Sequence, residues 1–249
     1  MNPEHGTSWR GPVFLIAGLL ILWQLAYWAI GDIALRSPWQ TLRFAAELIA
    51  RPTFWPHLVE TATAFSAALS LAVWIGLAIG MALGVSRLAG DVLEPMLVAL
   101  YSIPKVTLYP ILLLAFGLGM PAKIAFGAIH GFIPIALFTI NAVRNVRPIL
   151  IKSGRVLKLS QAEMVGKILF PAALPEIFTG LRIGFALTMI GTVLGEMFAS
   201  QRGLGYMLMN AIGLHNVDVI MALTLMLVVF AAIVSGALLW IDKRLHKRF

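Results

Sequence analysis

The sequence contains no cysteine. That excludes a disulfide framework, a thiolate nucleophile and a cysteine-ligated metal. Charge is scarce as well: 12% of the 249 residues are Asp, Glu, Lys or Arg, where a soluble domain carries about 25%. Acidic residues are the scarcer sign, 11 against 19 basic, for a formal charge of +8. There is no GxxxxGK[ST] phosphate loop, so ATP hydrolysis by the chain itself is not expected. His57, His130 and His215 stand far apart, without the paired spacing of a metal site. No group of His, Asp and Glu marks a reaction centre, which leaves a membrane enzyme weakly supported and the chain without a cofactor of its own. No polar linker divides the sequence, so one domain is expected over 1–249.

What the chain has instead is apolar length. Hydrophobic residues make up 60% of it and the mean hydropathy is +0.90. A bilayer core about 30 Å thick needs about 20 apolar residues per helix. The runs divide into six spans, at about 13–30, 58–86, 93–116, 122–143, 174–199 and 219–241. The fold class is therefore all-α, a polytopic membrane protein with six transmembrane helices. The first run, Val13 to Ile30, exceeds the apolar core of a cleaved signal peptide and lacks a small-x-small site, so it is expected to be retained. Ser37-Pro38 is a helix start and Arg51-Pro52 a stop. Between them Leu42, Ala46 and Ile49 share a face, and with Trp39 and Trp55 they suggest a short helix at the outer interface.

Inside the spans the signals are glycine and proline. Gly76, Gly80 and Gly84 form a four-residue stripe, repeated in Gly180/Gly184 and Gly191/Gly195. Small residues at this spacing let helix backbones approach, chiefly within the chain or across a subunit interface. Pro104 and Pro110 punctuate the third span, with Lys105 between them, and Pro134 lies in the fourth. A mid-span lysine costs about 2.5–3.5 kcal/mol on insertion scales and should face protein or water. Lys105 either meets an anion in a path or pairs with a helix carbonyl or acid. Glu196 stands at the outer end of the fifth span, beside the GLGY of an outer loop 201–218, either lining a gate or lying near the headgroups. Thr139 and Asn141 are expected to bond nearby backbone.

Charge fixes the orientation. With both termini inside, thirteen Lys and Arg fall on the inner side, among them Arg10, Lys247 and Arg248 at the ends. Arg36, Arg43, Arg51, Lys123 and Arg202 fall outside. That agrees with the positive-inside rule, which also accounts for the basic excess without nucleic-acid binding. Both termini are thus expected to be cytoplasmic.

The longest polar interruption, 144–173, lies between the fourth and fifth spans. It carries Arg144, Arg147, Lys152, Arg155, Lys158 and Lys167 against Glu163. Ser160, Glu163 and Lys167 share one helical face, and Leu157, Met164 and Ile168 form another. Arg155 and Lys158 fit neither, so two short helices with a bend are expected, followed by re-entry through Pro171 and Pro175.

At this point the sequence resembles a known family. ILFPAALPEIFTGLRIG (168–184) is similar to the EAA loop of ABC importer permeases. SIPKVTLYPILLLAFGLG (102–119), HGFIPIALFTINAVRNV (130–146) and GEMFASQRGLGYML (195–208) resemble the nitrate, sulfonate and taurine branch. The likeness runs from about Ser37 to Arg244. It implies a permease subunit in the bacterial inner membrane, paired with a second copy as a homodimer. Two ATP-binding subunits, carrying ATP and Mg, would dock on cytoplasmic coupling helices, and a periplasmic or lipid-anchored binding protein would deliver solute. The implied docking residues are Gly154, Arg155, Val156, Leu157, Leu159, Ser160, Glu163, Met164 and Lys167; the path candidates are Lys105, Glu196 and Asn141. The sequence departs from the family in the first half of the loop. The Glu-Ala-Ala falls on Lys152, Ser153 and Gly154, and the usual glycine on Lys158. A sulfonate, taurine or nitrate is the implied substrate. An ion-coupled secondary transporter, or a permease of this family for a neutral pyrimidine-type nutrient, is the alternative. Secondary transporters usually show acids within spans and inverted repeats, and neither is visible here.

Overall fold

The computed structural model describes residues 10–246, which form helices joined by turns, with no strand among them. The expected inner charges Lys247 and Arg248 lie outside the described residues. Five helices are long and apolar enough to cross a membrane, and the number is six if one bent pair counts as a single span. The chain divides into two compact units, Met1–Trp55 with Leu208–Val229, and Pro56–Met207 with Phe230–Phe249.

In the first unit, α1 (Arg10–Ile30) is followed by α2 (Pro38–Ala50). Ser37 caps α2 as the sequence suggests: its hydroxyl accepts from the Gln40 N–H, and the Gln40 side chain accepts from the Ser37 N–H at 2.8 Å. Arg51, restricted by Pro52, turns extended and ends the helix. Thr41, Ala45 and Leu48 are buried, while the Leu42, Ala46 and Ile49 face stays open. Arg36 ties the unit together. Its guanidinium reaches Asp218 and Asp32, and its carbonyl accepts from the Trp23 indole at 2.9 Å.

The second unit is built around α6 (Met120–Arg144), which carries more of the buried residues than any other described helix. α3 (Phe54–Val85) and α9 (Phe170–Ala199) flank it, and glycine permits both approaches. A Cβ on Gly76, Gly80 or Gly84 would strike Ile135, Thr139 or Val143 of α6 at 2.4–2.7 Å. From the other side Gly180 and Gly184 meet Phe138 and Ile135, and Gly191 meets His130. Two of the stripes read in the sequence are thus intrachain seams. Gly195 is in ordinary contact.

The third span departs from the straight helix expected over 93–116. α4 (Arg87–Ser102) stops, a 3-10 turn covers Lys105–Leu108, and α5 (Tyr109–Phe116) leaves at 91°. The cause is Pro104. The residue before a proline is pushed out of the helical region, and Ile103 is extended, with φ −68° and ψ 135°. The outer loop expected over 201–218 also differs, since it folds into α10 (Leu204–Gly213) ahead of α11 (Val217–His246).

Candidate functional site

The segment after α6 folds as two short helices with a bend, α7 (Pro148–Val156) and α8 (Gln161–Met164). A π-helical turn over Val165–Leu169 leads into α9, with Pro171 in its first turn. The helical run from Gln161 to Phe198 has 38 residues. At 1.5 Å per residue that is about 57 Å, well beyond a core of about 30 Å. The run is thus longer than one crossing requires.

Local chemistry sets the shape of the segment. α7 ends in a Schellman motif: the Leu159 N–H reaches the Gly154 carbonyl at 3.1 Å and the Lys158 N–H reaches that of Arg155 at 3.0 Å. Lys158 closes it at φ 52°. That is the left-handed position where the resemblance expects glycine. α8 opens on a capping box. The Ser160 N–H donates to Glu163 Oε2 at 3.1 Å, and the Glu163 N–H donates back to Ser160 Oγ at 3.3 Å. Lys167 Nζ takes the other oxygen at 2.7 Å. Lys167 and the Ser160 N–H hold the Glu163 carboxyl well below the usual carboxylate range, at about 2. The acid of this segment is thus consumed internally.

The segment is seated on the ends of three long helices. Ala142, Val143 and Val146 pack with Leu169, Ala173 and Ile177, and Ile151, Met164 and Val165 close over them. Two of the implied docking residues take part in that seat. Gly154 is buried, with the Met164 methyl and Ile168 Cδ1 within 2.7 Å of where its Cβ would stand. It permits packing and presents no surface. Met164 and Ile168 turn inward onto it, whereas Leu157, expected on their face, is 70% exposed and Val156 81%. Lys152, Arg155, Lys158, Ser160 and Lys167 are exposed, and Leu159 and Glu163 half-buried. A cleft of about 890 Å³ opens beside the segment, walled by Gly84, Arg87, Asp91, Arg144, Arg155 and Met164 among others.

The opposite end of the unit holds a cluster that the sequence did not reveal. Glu196 is fully buried, so in this structure it is not a surface carboxylate and opens onto no path. It accepts from Thr61 Oγ1 at 2.8 Å and from the Gly205 N–H at 2.9 Å. Thr61 Oγ1 in turn accepts from the Leu204 N–H at 2.8 Å. A Cβ on Gly203, at φ 120°, would lie 2.2 Å from the Glu196 carboxyl carbon. Lys123, expected as an outer flanking charge, is 1% exposed; its ammonium holds Glu60 at 2.9 Å and the Arg202 carbonyl at 3.0 Å. His57 accepts from the Gly203 N–H at 3.1 Å and stacks on Tyr206. The GLGY motif is thus the piece that the cluster grips. Glu196, four residues before Ser200 and seven before Gly203, was the available sign, but only tertiary contact supplies Thr61 and Lys123.

The remaining path candidates lie apart, joined to one another by no hydrogen bond or ion pair. Lys105 sits at the elbow, half-buried, donating to the Tyr101 carbonyl at 3.0 Å beneath that ring. It caps the open end of α4. Asn141 is exposed, and Thr139 bonds the Ile135 carbonyl at 2.7 Å. Arg182 of α9 approaches Asp242 of α11 at 3.7 Å. Among the described residues no three His, Asp or Glu converge as metal ligands.

Apolar spans seamed by glycine, with a folded polar segment fastened to one end, define a multi-pass membrane protein. The chain belongs to the family of binding-protein-dependent transport system inner membrane components, whose model matches residues 72–249. It is 30% identical over 253 residues to the taurine transport system permease protein TauC of Escherichia coli K12, covering 96% of this chain and 92% of that one. It is 34% identical over 213 residues to the nitrate import permease protein NrtB of Synechocystis, covering 80% and 76%. Among solved structures, the inward-facing MetNI methionine ABC transporter matches with a TM-score of 0.69 at 21% identity, over 78% of this chain and 98% of that one. The fold is shared with ABC importer permeases, and the chain is a transport permease.

Proposed function

We propose that this chain forms the translocation path of an ABC importer for a small anion of the taurine, sulfonate or nitrate type. In this reading residues 144–173 face the cytoplasm with both termini and dock an ATP-binding subunit, where ATP and Mg are bound. The observation that carries it is the fastened segment: two capped helices seated on α3, α6 and α9, with Val156 and Leu157 exposed above that seat. A segment packed this way transmits a push instead of absorbing it. Its exposed charges, Lys152, Arg155 and Lys158, are all basic, and Glu163 is internally paired. The ATP-binding partner should therefore present carboxylates where this family ordinarily meets an acidic loop.

A second permease copy completes the path. Within the chain, α4 and α5 leave Val92, Met96, Val98, Ile111 and Leu114 exposed, and the elbow with Lys105 lies between them. Lys105 and Asn141 remain the path candidates. The substrate class rests on the relatives' names, and a binding protein supplies the selection.

The test is reconstitution. Co-expressed with its ATP-binding subunits and binding protein, the chain should co-purify with the ATPase and support ATP-dependent uptake of taurine, an alkanesulfonate or nitrate in proteoliposomes. Uptake by the chain alone under an ion gradient would overturn the reading in favour of a secondary transporter. Intact uptake after scrambling 161–167 would remove the docking role.

A further inference from the structure

We infer that Arg144 is the positioning residue that carries movement of the coupling segment into the broken span. Arg144 is the last residue of α6, directly before the link to α7. Its neighbours Val143 and Val146 are buried in the cluster that seats the segment. Its guanidinium leaves that setting and grips the first two turns of α4. Nη1 holds Glu94 Oε2 at 2.8 Å, and Nη2 holds Asp91 Oδ1 at 2.8 Å and the Arg87 carbonyl at 3.4 Å. Both terminal nitrogens are committed to α4, while the buried Nε has no acceptor.

The grip has a purpose-made seat. Gly90 lies beneath the guanidinium, and a Cβ there would come within 2.2 Å of Nη2. Gly90 is also the one buried residue of α4. Within the chain, then, α4 is held at its start by a charged fork and is otherwise lightly packed, up to the 91° elbow at Pro104. A helix attached near one end is a lever. The two carboxylates, on successive turns of one face, fix its direction as well as its position, which one ion pair would not do. The cleft of about 890 Å³ gives it room, because Arg144 and Asp91 line it together with Arg155, Met164 and Val165 of the coupling segment.

Displacement of α7 and α8 thus shifts the end of α6, Arg144 drags the start of α4, and the elbow turns that into movement of the path. Without the fork, the segment would still bind its ATPase but would move α4 poorly. Pro95, one residue past Glu94 within α4, leaves the turn below it short of a backbone donor. Motion entering at Asp91 and Glu94 therefore reaches the elbow through a helix weakened at a defined point.

This rests on residues 144–173 being the ATPase-docking segment, and the experiment separates the two claims. The full transporter, with ATP-binding subunits and binding protein, is reconstituted with the wild-type chain, Arg144→Met, Arg144→Lys, and the pair Asp91→Asn/Glu94→Gln. Co-purification, Tm, ATP hydrolysis and ATP consumed per solute imported are measured. The relay predicts that Arg144→Met and the carboxylate pair keep co-purification and hydrolysis but lower uptake at least tenfold, raising the ATP-to-solute ratio by the same factor. Arg144→Lys, which keeps charge and loses the fork, falls between. A charge exchange, Arg144→Glu with Glu94→Arg, should recover part of the coupling. An unchanged ratio in the carboxylate pair overturns the proposal, whether or not uptake and hydrolysis fall together, and that pair decides the matter if Arg144→Met fails to fold. Failure of the wild-type chain to bind or stimulate an ATPase would instead remove the docking reading on which the relay stands.

Discussion

Lys158 closes α7 at φ 52°, where the side chain of an L-residue meets its own backbone at a cost of about 1–2 kcal/mol. The two Schellman hydrogen bonds from Lys158 and Leu159 hold it there. Glycine would remove the clash and give back part of the gain through greater freedom in the unfolded chain. Lys158→Gly should therefore stabilise by roughly 1 kcal/mol, which for a chain of this size raises Tm by about 2–4 °C. Lys158→Ala keeps a Cβ and should leave Tm nearly unchanged, so the pair separates backbone conformation from charge in a thermal melt of the detergent-solubilised protein. A rise in the alanine variant equal to that in glycine would show the charge to be the strained feature instead. Such positions explain what a sequence discloses at this scale. The family glycine falling on Lys158 marked an anomaly, and only the dihedral angle supplied its meaning. Gly154 makes the same point: the resemblance implied it as a docking residue along with Arg155 and Val156, which do face outward, but gave no indication that Met164 and Ile168 fold back over it.

At the scale of elements, local signals served well wherever one residue type acts alone. Ser37-Pro38 and Arg51-Pro52 delimit α2, and glycine spacing located the seams on α6. Where two distant segments must meet, the sequence was silent. α10 was hidden because LGYMLMNAIG is short and apolar, and its start is fixed by Glu196 and Thr61, 8 and 143 positions before Leu204. That latch yields a further prediction. Glu196→Ala strands the Gly205 N–H and removes the acceptor of the Thr61 hydroxyl in a buried site. An unsatisfied buried group costs about 1–3 kcal/mol, so the sum over the two should be about 2–6 kcal/mol. Glu196→Gln keeps an acceptor for Gly205 and leaves one amide N–H in doubt, so its loss should be smaller. Limited proteolysis within 200–206 reads the effect directly: the alanine variant should be cut faster than wild type, with glutamine between. Equal cutting in all three would show that the turn is held by its own backbone and that Glu196 is dispensable.

For the whole molecule, charge asymmetry is the strongest argument about orientation, and burial sharpens it. Lys123 was counted among five outer cations, but its 1% exposure and its bond to Glu60 remove it from the surface. Four then remain outside, and Arg36 among these is already paired with two aspartates. The inner side retains the exposed Lys152, Arg155, Lys158 and Lys167 on one short segment. Cytoplasmic loops attract such an excess, so the 144–173 end should face inward and the GLGY end outward. Because the chain has no cysteine, single replacements report on this without background. Val156→Cys is placed at an 81% exposed position on the coupling segment, and Gln201→Cys at an exposed position beside GLGY. A membrane-impermeant maleimide added to intact cells with a permeabilised outer membrane should label Gln201→Cys and spare Val156→Cys. In inverted vesicles the pattern should reverse, and bound ATP-binding subunits should shield Val156→Cys, because an 81% exposed valine between basic side chains is the part of the segment a docked protein would cover. Labelling of Val156→Cys from outside the cell would place the segment on the wrong side for any cytoplasmic ATPase. Labelling in inverted vesicles that is indifferent to the ATPase would keep the orientation and move the docking surface elsewhere on the inner face.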